Sequence, residues 1–502
     1  MTVGDLLLGV DIGTSSSKGV LVRSDGTIVA TAQRPHRLSL PRPGWAEHDG
    51  ESVWWADFVA IARELAGHGE GRIAAIGVSG IGPAILPVDH ACRSLRPAIL
   101  YGIDTRATRE VEELTERFGA DAILARGGTT LTSQAAGPKL AWIRRHEPDV
   151  WARTRRFHMA QSVVIERLTG EYVLDHHSAS QCNPLYDMTA AAWATDWADD
   201  VVPGLDLPRL AWSNDVVGRV HGEGATATDI PEGTPVVAGA LDAWVEALSA
   251  GVRDPGDTLL MYGTTMGLIE ITDVFRPDAS LWTTQGLFEG TFTYTAGMSA
   301  SGGLTVWLRD IVERDLETLI AEAEQTPPGA DGLVVLPFFG VARSPIFDPR
   351  ARGGIFGLTL SHGRGHLYRA VLEGAAYEVR HNLEVMEAAG VAPEHLTAVG
   401  GGTKSGLWTQ LVSDVTGLRQ VIPAVTIGAS YGDAMLAGMG AGLVAADARW
   451  NAPGETLRPD ARARARYDEL YRVYRSLYPA TREQAHALAR VQEDTANAAL
   501  GR

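Results

Sequence analysis

Residues 6–22 read LLLGVDIGTSSSKGVLV, in which two apolar runs flank a turn of glycine and hydroxyl residues. The runs predict a hairpin, and residues 27–33 add a third strand to form a meander. Many turns rich in glycine and serine bind nothing. Exposed backbone N–H groups in such a turn can also form a concave anion site, to which Lys18 would add positive charge. These residues alone leave two interpretations, an ordinary hairpin turn or a phosphate loop.

The composition limits the class of protein. The chain has 502 residues, with 44 Lys and Arg against 61 Asp and Glu, for a formal net charge of -17. This length predicts two to four domains, and the acidic balance argues against a nucleic-acid surface. Cys92 and Cys182 are too few for a disulfide framework or a cysteine metal cluster, and fit a reducing cytosol. The apolar run at residues 6–10 is too short for a signal peptide or membrane span, so we expect a cytoplasmic protein.

The opening pattern returns halfway along the chain. Residues 257–273 read DTLLMYGTTMGLIEITD, again a strand, a glycine–hydroxyl turn and a strand. The two turns, at Gly13 and Gly263, indicate two similar halves that each begin with a hairpin. A Pro/Gly linker near residues 245–257 predicts the boundary between them.

Other segments predict α/β elements. Trp54, Trp55, Phe58 and Ile61 share one face of a predicted helix, and residues 72–82 predict a buried strand that ends in glycines. A strand at residues 235–239 leads into a helix at residues 243–250, and the stretch after residue 460 also looks helical.

A glycine-rich turn at residues 400–402 opens an amphipathic helix that closes at Gly417. A turn of this kind can bind an anion or a nucleotide, or it can be a plain strand–helix connection.

Together these pieces resemble the FGGY family of carbohydrate kinases. Residues 9–22 and 261–267 look like its two phosphate loops, and residues 401–417 like its adenosine-side glycine motif. The most specific match, GGIFGLTLSHGRGHLYRAVLEG at residues 353–374, resembles the family's C-terminal signature. Further matches are PGWAEHDGESVWW at residues 43–55 and AGALDAWVEALSAG at residues 238–251.

The resemblance implies a duplicated ribonuclease-H-like (actin-like ATPase) α/β fold with two domains around a central cleft. We expect an N-terminal kinase domain at residues 1–248, a C-terminal one at 249–485 and a helical tail at 486–502. The implied activity is ATP-dependent phosphorylation of a small sugar or polyol, with Mg²⁺ and with a ketopentose such as xylulose as the expected substrate. The resemblance implies no nucleic-acid or membrane partner, and it leaves open a homodimer.

The resemblance also assigns site residues. It makes Asp242 the base that accepts the sugar hydroxyl proton, although Asp242 could also be the N-cap of the helix that follows. It makes Asp11 a Mg²⁺ residue. Asp104 would contact sugar hydroxyls with Arg106 behind it, or Arg106 would only hold Asp104 in an ion pair. The residues expected on the phosphates and adenosine are Thr14, Ser15, Ser16, Lys18, Gly263, Thr264, Thr265, Gly401, Gly402 and Thr403.

The chain departs from the family on the substrate side. Ile81, Gly82 and Pro83 stand where relatives carry polar groups, which makes glycerol a doubtful substrate and leaves xylulose less than certain. Trp244 would line the pocket or pack in the hinge, and we expect His176 and His177 to be solvated.

Three alternatives stay open. The same chemistry could act on another ketose, an alditol or an aldonate. The chain could instead be an actin-like ATPase, or a catalytically inactive sugar sensor that keeps the fold for binding.

Overall fold

The computed structural model describes residues 4–68 and 71–499. Residues 1–3 of the expected N-terminal domain and 500–502 of the expected tail lie outside the described residues. The chain forms two compact units that are discontinuous in sequence. Unit 1 comprises Met1–Arg253, Thr272–Thr293 and Ile427–Ala452, and unit 2 comprises Asp254–Ile271, Tyr294–Thr426 and Pro453–Arg502.

The strands, in chain order, are β1 (Gly4–Ile12), β2 (Ser16–Arg23), β3 (Ile28–Pro35), β4 (Glu47–His48), β5 (Gly71–Gly80), β6 (Leu86–Val88), β7 (Ala98–Ile99), β8 (Arg156–His158), β9 (Val173–Asp175), β10 (Tyr186–Asp187), β11 (Ala192–Trp193), β12 (Arg209–Ala211), β13 (Val216–Arg219), β14 (Pro235–Val237), β15 (Ala240–Leu241), β16 (Thr258–Tyr262), β17 (Met266–Thr272), β18 (Trp282–Gln285), β19 (Phe292–Met298), β20 (Val334–Leu336), β21 (Gly354–Phe356), β22 (His395–Val399), β23 (Arg419–Pro423) and β24 (Pro453–Leu457).

The α-helices are α1 (Ala56–Ala66), α2 (Thr108–Phe118), α3 (Ala120–Gly127), α4 (Ala136–His146), α5 (Pro148–Arg153), α6 (Ala160–Thr169), α7 (His176–Ser180), α8 (Thr195–Val201), α9 (Gly222–Thr228), α10 (Asp242–Ser249), α11 (Gly302–Val312), α12 (Leu316–Glu324), α13 (Arg364–Ala388), α14 (Gly406–Thr416), α15 (Ala429–Gly440) and α16 (Ala461–Ala499). A π-helical segment, Gly50–Trp55, precedes α1, and short 3₁₀ turns occupy Ala330–Gly332 and Gly401–Lys404. In the described part of the chain, none of these helices is both long and apolar enough to span a membrane.

The sheet of unit 1 has the strand order β13-β14-β5-β1-β2-β3, and β15 also pairs with β5. The predicted meander is confirmed, because β1 pairs antiparallel with β2 and β2 with β3. On one face of the sheet, Leu8 and Val10 join a buried core with Phe58 and Ile61 of α1. The predicted apolar face of that helix is therefore confirmed as core.

The opposite face of this sheet is covered by α15 at unusually short range. A Cβ atom on Gly9 would lie 1.9 Å from the carbonyl oxygen of Ser430, and one on Gly77 would lie 2.1 Å from that of Asp433. No side chain fits in those gaps, so helix backbone rests directly on strand backbone. Asp11 points to this face, because side chains alternate along a strand and Gly9 is two residues away.

Unit 2 repeats the arrangement of unit 1. Its strands run in the order β19-β17-β16-β22-β23-β24, with β16 antiparallel to β17 and parallel to β22. In unit 1, β1 is likewise antiparallel to β2 and parallel to β5. Each half therefore starts with a hairpin whose first strand has a parallel neighbour from later in the chain.

The signature segment at residues 353–374 has a structural role in unit 2. Glu373 of α13 is buried and accepts a hydrogen bond from Arg369 Nε at 2.8 Å. The same oxygen, Oε1, accepts from the Gly329 N–H at 2.9 Å and from the Tyr467 hydroxyl at 3.1 Å. This network fixes α13 against the turn at Gly329 and against α16.

Candidate active site

The first turn, at residues 13–15, is held from behind by a polar network. The Gly13 N–H donates to the Ser16 carbonyl at 3.2 Å. His36 connects two groups, with Nε2 3.1 Å from the Gly13 carbonyl oxygen and Nδ1 2.8 Å from Asp57 Oδ2. Ser17 Oγ donates to the same Asp57 oxygen at 2.8 Å. These contacts hold the turn in place from the protein side.

The outer side of the turn is accessible. Ser15 and Lys18 are exposed, and Thr14 and Ser16 are partly exposed. Thr14 Oγ1 lies 3.3 Å from the Tyr101 hydroxyl, a contact that orients its side chain. The turn therefore presents backbone and hydroxyl groups beside a lysine, as an anion site requires.

Two buried carboxylates converge on Ser79 just below this turn. Asp11 of β1 is paired in register with Ser79 of β5. Ser79 Oγ donates to Asp433 Oδ2 at 2.6 Å. Oδ1 of Asp11 and Oδ1 of Asp433 are both buried without a hydrogen-bond partner among the described residues. An unpaired buried carboxylate oxygen is costly, so these two atoms mark a place built for a ligand.

Asp242 lies beside the carboxyl end of β5, the strand that carries Ser79. β15 pairs with the end of β5, with Leu241 opposite Gly80, and α10 begins at Asp242. Asp242 Oδ1 accepts from the Ala243 N–H at 2.8 Å. Leu241 is the N-cap, so the N-cap interpretation of Asp242 is wrong: its side chain bonds the adjacent N–H rather than one further into the helix.

The acids of this site raise one another's pKa. Burial raises the pKa of Asp242 to about 7, and the charge of Glu246, one helical turn later, adds to the shift. Burial first, and then the charge of Asp242, raise the pKa of Asp11 well above its usual range, while Lys18 opposes the shift. Burial also raises the pKa of Asp433 well above its usual range, with Asp11 and Asp242 contributing. We call these four acids, Asp11, Asp242, Glu246 and Asp433, the carboxylate cluster.

The carboxylate cluster fits a hard divalent cation. Mg²⁺ prefers oxygen ligands and usually takes one or two carboxylates together with water and phosphate oxygens. Asp11 and Asp433 each offer one buried oxygen without a partner. Positive charge there would relieve the repulsion that raises the pKa values of the cluster.

Asp104 and Arg106 form the ion pair that the sequence left as an alternative. Arg106 Nη2 lies 2.7 Å from Asp104 Oδ2, and the two side chains are 1% and 0% exposed, respectively. The Ala46 N–H donates to the same oxygen at 2.7 Å. Arg106 also lies 3.8 Å from the centre of the Trp45 ring and pairs with Glu47. This aspartate is fully engaged within the protein, and the geometry favours a structural role over contact with a sugar.

An apolar wall stands beside Asp242. Ile81 is 1% exposed, and a Cβ on Gly82 would lie 2.2 Å from Leu241 Cδ2. The Trp244 indole N–H donates to Thr293 Oγ1 at 3.0 Å, and its ring lies 4.1 Å from that of His177. Trp244 is therefore fixed in one orientation at the first turn of α10.

The expectation that His176 and His177 are solvated is wrong. His177 is fully buried, Nδ1 lies 2.7 Å from the Gln285 carbonyl oxygen, and burial lowers its pKa to about 4. His176 is partly buried and stacks on Trp212 with ring centres 4.3 Å apart.

In unit 2 the second turn and the glycine-rich turn lie together. Gly263, Thr264 and Thr265 are all exposed. Gly400 has a φ of 97°, and a Cβ there would lie 2.5 Å from the Tyr262 carbonyl oxygen. A Cβ on Gly401 would meet nothing within 4 Å, so this side of the turn is open.

Thr403 Oγ1 donates back to the Gly400 carbonyl at 2.8 Å. That bond fixes the glycine-rich turn while its outer side stays accessible.

Sequence reasoning missed Asp433, Glu246, Ser79 and His36. Asp433 is the sole charged residue of α15, which otherwise consists mainly of small and apolar residues. A single carboxylate in such a helix is a usable signal, because it must either reach solvent or have a buried task.

The comparisons with known proteins agree with this geometry. Residues 6–249 match the FGGY family of carbohydrate kinases, N-terminal domain, and residues 259–441 match its C-terminal domain. The crystal structure of xylulose kinase from Rhodospirillum rubrum superposes with a TM-score of 0.90 at 34% identity, covering 96% of this chain and 100% of that one.

Two further relatives are similar over most of their length. A xylulose kinase from Escherichia coli is 28% identical over 82% of this chain and 85% of its own. A glycerol kinase from Bordetella parapertussis is 30% identical over 88% of this chain and 90% of its own. The expected actin-like α/β fold and kinase class are confirmed, and the chain belongs to the FGGY family of carbohydrate kinases.

Proposed function

We propose that this carbohydrate kinase transfers the γ-phosphoryl group of ATP to a hydroxyl of a ketopentose such as xylulose, with Asp242 as the general base. The observation that carries the proposal is the position of Asp242 in the carboxylate cluster with a pKa of about 7. A base of that pKa is balanced between accepting and releasing a proton near neutral pH.

The reaction requires Asp242 to accept one proton, that of the sugar hydroxyl. As the sugar oxygen bonds to the γ-phosphorus, the bond from that phosphorus to the β-phosphate oxygen breaks and ADP leaves. The hydroxyl proton passes to the other Asp242 oxygen, Oδ2, while the Ala243 N–H holds Oδ1 in place. Positioning and charge stabilisation supply most of the rate in reactions of this kind.

Asp11 and Asp433 would hold the Mg²⁺ ion, whose chemistry is to neutralise charge on the phosphate oxygens. Ser79 positions Asp433 through the 2.6 Å hydrogen bond between them. Lys18, exposed and close enough to lower the pKa of Asp11, would add charge to the same anion.

Each turn would offer backbone N–H and hydroxyl groups to phosphate oxygens. The residues proposed for this role are Thr14, Ser15 and Ser16 in unit 1 and Gly263, Thr264 and Thr265 in unit 2. Gly401, Gly402 and Thr403 would border the adenosine, because Gly401 leaves open space beside the turn.

The apolar wall at Ile81, Gly82 and Trp244 affects which sugar the site would select. A site that lacks polar groups cannot reject analogues by leaving its own donors unpaired. We propose xylulose because it is the substrate named for several relatives, and the apolar wall keeps another ketose, an alditol or an aldonate as the second candidate. Asp104 and Arg106 are assigned a structural role, because both are bonded within the protein. We also propose a cytoplasmic location, where both buried cysteines stay free.

The test is ADP release with Mg-ATP across a panel of ketoses, polyols and aldonates, with Asp242→Asn as the variant. Glu270→Gln is the matched control, because Glu270 is a buried carboxylate in β17 of unit 2 whose pKa burial raises to about 8. We expect one compound to raise ADP release, Asp242→Asn to lower that rise by roughly 10²–10⁴-fold, and Glu270→Gln to keep it.

The other outcomes separate the alternatives. Release that persists in Asp242→Asn would remove Asp242 as the base but leave the kinase. ATP binding without stimulation by any compound, together with sugar binding by calorimetry, would indicate the sugar-sensing alternative.

A further inference from the structure

Three potential metal ligands meet in unit 1 outside the carboxylate cluster. Cys92 Sγ lies 3.7 Å from His158 Nε2, and that nitrogen lies 2.7 Å from Glu166 Oε2. All three atoms lie within 4.8 Å of one another. One ring nitrogen thus faces both the sulfur and the carboxylate, so the three atoms surround a single point.

The fold brings these residues together from three elements. β6 pairs antiparallel with β8, and this pairing places His158, at the end of β8, opposite Leu86. Cys92 lies in the turn that follows β6, and Glu166 lies in α6, which follows β8. Cys92 and Glu166 are 8% exposed, and His158 is fully buried.

Outer contacts fix the far side of two of the ligands. Nδ1 of His158 lies 3.0 Å from Ser162 Oγ, and Glu166 Oε1 accepts from Arg156 Nη1 at 2.9 Å. Such contacts are what orient metal-binding imidazole and carboxylate groups. Oε2 of Glu166 is buried and faces His158 Nε2 at 2.7 Å.

Two simpler interpretations explain less of this cluster. A nucleophilic Cys–His pair is disfavoured, because the Glu166 carboxylate lies on the same ring nitrogen of His158 as the sulfur. A plain His–Glu ion pair does not account for the position of the Cys92 thiol beside it. Yet Cys92 adopts a φ of 55°, in the left-handed region that non-glycine residues rarely occupy, with its side chain buried beside that pair.

We propose that Cys92, His158 and Glu166 bind a thiophilic divalent cation of the zinc class, with water as the fourth ligand. Zinc–sulfur and zinc–nitrogen bonds at a tetrahedral centre place the two ligand atoms about 3.5 Å apart. The observed 3.7 Å between Sγ and Nε2 is close to that spacing. Oε2 of Glu166 has to retreat by roughly 0.6 Å to bind the same ion.

Charge and access both suit this ion. Binding forms the metal–sulfur bond and releases the thiol proton to solvent, so the thiolate brings negative charge to the cation. Ala91 and Arg93 on either side of Cys92 are exposed, which gives solvent a short path to the sulfur. The inference is independent of the proposed kinase function, since the carboxylate cluster takes no part in it.

The probe is Co²⁺ added to the full-length protein after removal of metals with a chelator. A thiolate ligand gives Co²⁺ an intense charge-transfer absorption in the near ultraviolet, whereas the carboxylate cluster has no sulfur to produce one. The chain supplies its own matched control, because the other cysteine, Cys182, is buried and its sulfur donates to the Ser178 carbonyl at 3.8 Å. We expect the absorption in the wild type and in Cys182→Ser, and its loss in Cys92→Ser and in His158→Gln.

Displacement of Co²⁺ by added zinc gives a second readout, which needs no variant. We expect about one equivalent of zinc per chain to displace Co²⁺ and abolish the absorption. Absence of the charge-transfer absorption in the folded wild type, verified by circular dichroism, overturns the proposal. So does its persistence in Cys92→Ser or its loss in Cys182→Ser.

Discussion

The two hairpins of the molecule have the same strand arrangement but carry different side chains next to the turn. Each has a turn of one glycine and two hydroxyl residues, an antiparallel second strand and a parallel neighbour. In unit 1, Asp11 precedes the turn and is paired with Ser79. In unit 2, Met261 holds the matching position and is paired with Val399. The duplication supplies two turns of similar composition, whereas the four acids of the carboxylate cluster all lie in unit 1.

The difference shows the energetic cost of holding several acids close together. In addition to burial, the charge of Asp242 raises the pKa of Asp11, and the charges of Asp11 and Asp242 raise the pKa of Asp433. The site therefore stores unfavourable electrostatic energy. Such destabilisation is typical of functional sites. The turn of unit 2 is held without acids, since the Gly302 and Gly303 N–H groups donate to the Gly263 and Thr264 carbonyls.

The largest expected effect comes from glycine replacement in the two hairpins. In Gly9→Ala, the new Cβ would lie 1.9 Å from the Ser430 carbonyl oxygen and force α15 off the sheet. We expect a loss of roughly 2–4 kcal/mol in the free energy of unfolding, measured by urea denaturation. Gly267→Ala in β17 is the control, because its Cβ would find 3.7 Å to the nearest atom. Equal losses in both variants would refute the close approach of α15.

Asp11→Asn tests whether the acids of the first hairpin hold the cation. We expect the Mg²⁺ concentration for half-maximal ADP release to rise by roughly ten- to hundredfold, since one charged oxygen donor is lost. Asp5→Asn on the same strand, where the carboxylate pairs with Arg72 at 3.4 Å, should leave it unchanged. An unchanged Mg²⁺ requirement in Asp11→Asn would remove Asp11 from the cation site.

The pH profile distinguishes the two halves directly. Asp242 accepts a proton only when ionised and has a pKa of about 7, so kcat/KM should fall about tenfold per pH unit below that value. Glu270 in the other half, with a pKa of about 8, is the competing titrating group. We expect Glu270→Gln to keep the acid limb, and its disappearance there would assign the limb to unit 2.

Asp433→Asn should give the smallest effect and the opposite sign. Because the pKa of Asp433 is raised in the folded state, that state binds more protons than the unfolded chain, and stability falls as pH rises above the unfolded pKa of about 3.9. Asparagine removes this penalty and should stabilise the protein by roughly 0.5–2 kcal/mol at pH 8. Thermal unfolding at pH 8 and pH 4 measures it, and the gain should vanish at pH 4. A loss of stability at pH 8 would mean that the charge itself is stabilising.

The local elements could be predicted from sequence, whereas the packing of distant segments could not. Both hairpins and the buried face with Phe58 and Ile61 follow from patterns within about ten residues. Asp433 reaches Ser79 across 354 positions of sequence, through two glycines whose missing side chains admit a helix. Nothing within a short window shows which remote helix fills such a gap.

Polar residues were the least predictable. The sequence left Asp104 either as a sugar ligand or as the partner of Arg106 in an ion pair, and the contacts with Arg106 and the Ala46 N–H favour the second. His177 read as solvated, but Gln285 lies 108 positions away and covers it. Charge type shows what a side chain can do, while its burial depends on contacts that form only in the folded chain.

The place of α15 has a consequence for how the protein is made. β1 (Gly4–Ile12) leaves the ribosome more than 400 residues before α15 (Ala429–Gly440), the helix that covers it. At roughly 5–20 residues per second, that delay lasts about 20–90 s. Throughout it, the glycine-lined face of the sheet in the nascent chain stays uncovered and needs protection from aggregation. A gene split at the central linker would therefore yield a first fragment that has every strand of its sheet but lacks the helix that covers one face.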